Sequence, residues 1–201
     1  MSGIIAQNSG RHTGLVKASS GGGVWNLIET LTASSDATLD FTSGIDSTYD
    51  EYVFKFIDIH PETNGSFFRM NLSADTGSNY NVTKTSTAFR AYHTEDDSAT
   101  ALGYIEDYDL AESTAVQTLS STNLGGGNDE CFAGTMHLFN PSSTTFVKHY
   151  IVETSYYPDN DSANHFFCAG YGNTTSAVDA VQFTMSADSI EAGTISLYGI
   201  S

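Results

Sequence analysis

Short runs of β-branched and aromatic residues, separated by clusters of Ser, Thr, Asn, Asp, Gly and Pro roughly every 10–15 residues, fill the chain from Trp25 onward. No stretch sustains the 3.6-residue apolar period of a helix, so the rhythm predicts an all-β domain. Strands are expected at 25–30, 36–42, 51–59, 67–72, 87–93, 115–120, 131–139, 144–154, 165–171, 178–186 and 194–200. The run EYVFKFIDI at 51–59 is apolar on both alternating faces, which suits a central strand. Pro61-Glu62-Thr63-Asn64-Gly65 and Asn140-Pro141-Ser142-Ser143 read as turns, the second joining two strands as a hairpin. The stretch 99–110 is interrupted by Gly103 and reads as a loop with at most one helical turn. The expected fold is an antiparallel β-sandwich of jelly-roll type over residues 24–201, preceded by an extended arm at 1–23. Alternation assigns Trp25, Leu39, Val53, Ile57, Phe68, Met70, Leu72, Met136, Leu138, Ile151, Val181, Phe183, Ile195 and Leu197 to the core.

Charge narrows the partners. Seven Lys and Arg stand against 24 Asp and Glu, a net charge of −17. Such a surface repels a phosphate backbone and anionic lipid, so neither nucleic acid nor a membrane surface is an expected partner. No apolar run approaches the roughly 20 residues of a membrane helix, and no signal peptide is expected. Neutral glycans, cations and other proteins remain. The imbalance is also uneven along the chain. Residues 1–28 hold Arg11 and Lys17 and no acid, because the first acid is Glu29. Removing those two bases leaves five against 24 acids, so the remainder carries −19. The arm has small apolar pieces at Ile4-Ile5 and Leu15-Val16, and a Gly21-Gly22-Gly23 hinge. It reads either as a plain tail or as a docking arm, in which Ile4, Ile5, Arg11, Leu15 and Lys17 lie in an acidic neighbour's groove or clasp oligomer mates.

Motifs for chemistry are sparse. There is no G-x-S-x-G elbow, no H-E-x-x-H and no Cys/His pair at zinc spacing, so no catalytic residue and no metal ligand is assigned, and no enzyme is expected. Cys131 and Cys168 sit beside phenylalanines and read as buried inert thiols, with a disulfide between them as the alternative. His137 and His149 flank the Pro141 turn and are expected as a cross-strand pair. The acidic clusters at 95–97, 106–109, 129–130 and 159–161 read as solvated loop charge, with calcium as the alternative, although none completes a calcium-loop template. Sugar recognition uses aromatic faces beside Asn and Asp. Tyr80, Tyr104, Tyr108, Tyr156 and Tyr157 fall in expected loops or strand ends. The segment Tyr156, Tyr157, Pro158, Asp159, Asn160, Asp161 is the leading glycan-contact candidate, with an oligomer contact as the alternative.

The segments DFTSGIDSTYDEYVFKFIDIHPETNG (40–65), HLFNPSSTTFVKHYI (137–151) and NTTSAVDAVQFTMSADSIEAGTISLYGI (173–200), with the opening SGIIAQNSGRHTG, resemble virion structural or tail-fibre-like proteins of tailed phages of marine bacteria. The resemblance implies a component of a phage particle, either a tail-fibre-like appendage or a capsid-surface decoration. It also implies partnership with other virion proteins, a homo-oligomer with a trimer favoured, and assembly in a bacterial cytoplasm that keeps thiols reduced. It carries no catalytic residue. A host-glycan (receptor) binding module is the alternative function, and a polysaccharide-cleaving enzyme ranks last.

Overall fold

The computed structural model describes residues 24–201. The arm residues Ile4, Ile5, Arg11, Leu15 and Lys17 therefore lie outside the described residues. Twelve strands follow in order: β1 (Trp25–Thr32), β2 (Thr38–Phe41), β3 (Glu51–Pro61), β4 (Phe68–Ser73), β5 (Lys84–Thr94), β6 (Thr100–Tyr104), β7 (Gln117–Thr118), β8 (Phe132–Phe139), β9 (Lys148–Tyr156), β10 (Ser162–Gly172), β11 (Ala180–Met185) and β12 (Ile190–Ile200). They form an eight-stranded sheet, β1-β12-β3-β8-β9-β10-β5-β6, and a four-stranded sheet, β2-β11-β4-β7. Every named pair is antiparallel.

Setting aside β5, β6, β9 and β10 exposes the plan. The remaining strands pair first with last (β1 with β12), then β2 with β11, β3 with β8 and β4 with β7. That is one long hairpin rolled into two facing four-stranded sheets, the jelly roll. The four extra strands prolong the first sheet beyond its partner. The chain between β6 and β8 folds back under this extension and covers its inner face. Leu119 and Leu124 are buried there, and Gln117 Oε1 accepts hydrogen bonds from Ser86 Oγ (2.7 Å) and Tyr150 Oη (3.1 Å).

Between the sheets, Phe41, Phe54, Phe56, Phe68, Phe132 and Phe183 form one aromatic cluster. Ring centroids lie 5.2 Å apart for Phe56 and Phe183 and 5.0 Å for Phe68 and Phe132, largely edge to face. Such pairs add to the stabilisation from burial because ring edges and faces carry opposite partial charge. Two lysines are also fully buried at one end of the core. Lys84 and Lys148 both oppose Gly172, from β5 and β9. Lys84 Nζ donates to Asn71 Oδ1 (2.5 Å) and the Val82 carbonyl (2.9 Å), while Lys148 Nζ donates to the carbonyls of Phe146 (2.6 Å) and Thr174 (3.1 Å). Burial pushes the Lys84 ammonium down to about 8.

Several expectations need correction. Trp25, Ile57 and Ile151 are exposed rather than core. On β3, Tyr52, Phe54 and Phe56 point inward, so Val53 and Ile57 point outward. Val53 is covered but lies outside the core cluster. Asp58 adopts a left-handed φ of 52° where the β3–β8 register shifts, and this turns Ile59 back into the core. On β9 the inward set is Tyr150, Val152, Thr154 and Tyr156, which leaves Ile151 outside. The stretch read as a loop holds strand β6, followed by a 3₁₀ turn at Glu106–Tyr108. The expected strand at 115–120 shrinks to the two residues of β7.

Candidate functional site

The tyrosine pair singled out from the sequence divides. Tyr156 ends β9 on its inner face and is buried. Its Oη accepts a hydrogen bond from the Ser121 amide (2.7 Å) and lies 2.7 Å from Ser121 Oγ, so it pins the covering segment and cannot meet a sugar. Adjacent strand residues point to opposite faces, so Tyr157 is the half-buried partner on the outside. Its Oη donates to Asp161 (2.9 Å), which, as the acceptor of that bond, pushes the phenol up to about 12. Asp159, Asn160 and Asp161 form the exposed β9–β10 turn, where Asn160 Oδ1 accepts from Ser162 Oγ (2.7 Å). Tyr80 is a second inward tyrosine; its hydroxyl is buried and is pushed up to about 12, chiefly by desolvation.

The outer face of the sheet extension gathers more exposed aromatic and small side chains than that turn. Strand register sets two parallel rows across β8, β9, β10, β5 and β6. One row runs Ala133, Ser155, His165, Ala91, Leu102, and the next runs Thr135, Glu153, Phe167, Phe89, Tyr104. The small side chains of the first row leave shallow recesses of about 490 and 720 Å³ between His93, Tyr157, Leu102 and His165. The second row carries the rings. Phe89 and Phe167 stack with centroids 4.7 Å apart, and His165 lies 4.0 Å from Phe167. His165 Nε2 meets Glu153 Oε1 at 3.0 Å, and Tyr104 Oη donates to Asp109. The result is an apolar platform edged by hydrogen-bonding groups on a strongly acidic body. It offers stacking and hydrogen bonding to a neutral ligand or a complementary protein face.

Other sequence candidates are scattered. His137 opposes Ile151 rather than His149; its Nδ1 lies 2.6 Å from Glu51 Oε1, while His149 packs on Tyr171. Cys131 and Cys168 are both free thiols, and burial pushes Cys168 up to about 12. Among the described residues, no group of three His, Cys, Asp or Glu is placed to hold a metal ion. No helix among them is long and apolar enough to cross a membrane.

The platform itself escaped sequence reasoning, although its signal was present. In HFFCAGY at 165–171 and SYYP at 155–158, neighbouring aromatics on a strand cannot both be buried by one core, so one of each pair must face out. Comparison with known proteins finds no family model that matches the chain and no curated protein that matches it.

Proposed function

We propose that the chain is an interaction protein of a phage particle, a tail-fibre-like appendage or a capsid-surface decoration component. In this reading residues 1–23 anchor it to other virion proteins, and the jelly-roll body presents the long sheet's outer face. The observation that carries the reading is that face, where Phe89, Leu102, Tyr104 and Ile151 are exposed on one surface of the sheet extension. Isolated exposed apolar residues are ordinary, but a contiguous set across neighbouring strands marks a contact surface. The acidic body and the resemblance to phage virion proteins support the same reading. The test is deletion of residues 2–20 in the phage. Incorporation into particles is expected to vanish while the body's melting temperature stays unchanged; retained incorporation would overturn the anchor.

A second reading, host-glycan binding, is favoured by the Phe89–Phe167 stack beside Glu153 and His165. Rings offer a face to sugar C–H groups, and the carboxylate and imidazole accept or donate to hydroxyls. A glycan array read with wild type and with the Phe89→Ala, Phe167→Ala double variant tests it. Loss of a specific sugar signal in the variant is expected, and no sugar signal in the wild type rejects it.

A further inference from the structure

Strand β6 closes one end of the long sheet, and its free edge is unlike the other three. Among the described residues it pairs only with β5, in unshifted register from Phe89–Tyr104 to His93–Thr100. Its sequence TALGY has no charge and no proline, and all five residues are exposed, Leu102 by 73%. At the other end, β1 is broken by a register shift between Leu27 and Glu29 and carries that glutamate. In the short sheet β2 has four residues, one of them Asp40, and β7 has two. Proteins blunt sheet edges with bulges, charges, brevity or proline, because an open edge templates another strand. The edges of β1, β2 and β7 are blunted in this way and that of β6 is not, so its far side is suited to receiving an extended segment.

We propose that β6 receives residues 11–17 (Arg-His-Thr-Gly-Leu-Val-Lys) of a neighbouring copy as an added strand. The proposal rests on reading residues 1–23 as a docking arm. Charge selects the segment. Glu95, Asp96 and Asp97 precede β6, and Glu106, Asp107 and Asp109 follow it. Arg11 and Lys17 are the only Lys or Arg before Lys55, and they bracket the adjacent apolar pair Leu15-Val16. On a strand one of that pair would face Leu102 and Tyr104 on the outer surface. Distance selects the donor. The arm joins the body at β1, seven strand spacings from β6, or about 34 Å at about 4.8 Å per strand. The seven residues from Lys17 to Val24 span at most about 25 Å when fully extended. Followed along the sheet, a chain's own segment falls short of its own β6, whereas a neighbour's segment is under no such limit. The contact joins two different surfaces, so it closes either by reciprocal exchange about a two-fold axis or as a ring when the rotation permits.

Light scattering after size exclusion and amide hydrogen exchange on the full chain test this together. Wild type is expected to be a multimer, with the Thr100–Tyr104 amides that point away from β5 protected at least about 100-fold. Leu15→Asp with Val16→Asp, or Leu102→Asp alone, should each give a monomer and reduce that protection at least about 10-fold, leaving β3 and β12 unchanged. Leu102 is exposed, so its replacement leaves folding intact. A monomeric wild type, or a multimer that survives the arm substitutions, would overturn the strand addition. Neither result touches the particle reading, which the incorporation assay decides separately.

Discussion

Replacing Lys84 by methionine should remove a pH dependence that the wild-type fold carries between pH 8 and 10. Lys84 is fully buried and its ammonium has two oxygen partners, the Asn71 side-chain amide and the Val82 carbonyl. Neither is charged, so desolvation lowers its pKa from 10.5 to about 8. Between those values the unfolded chain holds the proton and the folded one has lost it, so wild-type stability rises with pH. The slope approaches 1.36 kcal/mol per pH unit, and between pH 8 and pH 10 the gain is about 2 kcal/mol. Below pH 8 both states are protonated and the term is flat. Tyr52, Tyr80, Tyr150 and Cys168 act in the opposite direction, because burial raises each of them and favours unfolding at high pH. That background is shared by wild type and variant, and cancels in their difference. Urea unfolding of both proteins at pH 7, 8, 9 and 10 supplies the assay. The stability of wild type minus that of Lys84→Met should be constant from pH 7 to just below 8 and then climb by about 2 kcal/mol by pH 10. A flat difference across the whole range would mean that Lys84 keeps its proton in the folded state up to pH 10.

Three further outcomes follow from the packing. Tyr156→Phe should cost about 1–2 kcal/mol, read by urea unfolding, because the Ser121 amide loses its acceptor in a buried site, and it should leave any glycan signal untouched. Phe183→Ala should cost about 3–5 kcal/mol, since its ring touches Phe41, Phe54, Phe56 and Phe68 between the sheets. Thiol titration with a chromogenic disulfide should label half-buried Cys131 in the native protein and Cys168 only on unfolding, with no change after reduction; a stoichiometry of zero before reduction would mean the two are paired.

The jelly roll was legible because its strands alternate and its turns carry Asn, Gly and Pro at the right places, as at Asn64-Gly65 and Asn140-Pro141. Ten of the expected core residues, among them Phe68, Met70, Leu72 and Leu197, are buried between the sheets. Choosing a face failed where both faces are apolar. On β3, Val53 and Ile57 alternate with Tyr52, Phe54 and Phe56, and pattern alone ranks neither set; the larger aromatic set won the interior. Tyr156 was missed for another reason: the expected strand ends at 154, whereas β9 runs on to Tyr156 and carries it on the inner face. Strand β6 was invisible for a different reason. All five of its residues are exposed, so it has no buried face to print a period on the sequence. Its partner β5, fifteen residues away at the Phe89–Tyr104 end of the register, defines it, and pairing of that kind is a tertiary fact. The surface proposed to carry function is therefore the part of the fold that the sequence marks least.

The most direct test of the central proposal is to look for the protein on the particle. Purified virions would be digested for mass spectrometry and labelled with antibody raised against residues 24–201. Peptides of this chain are expected in the virion, with gold on the tail and its fibres for an appendage or over the capsid for a decoration component. Virions that carry neither peptide nor label would contradict the proposal.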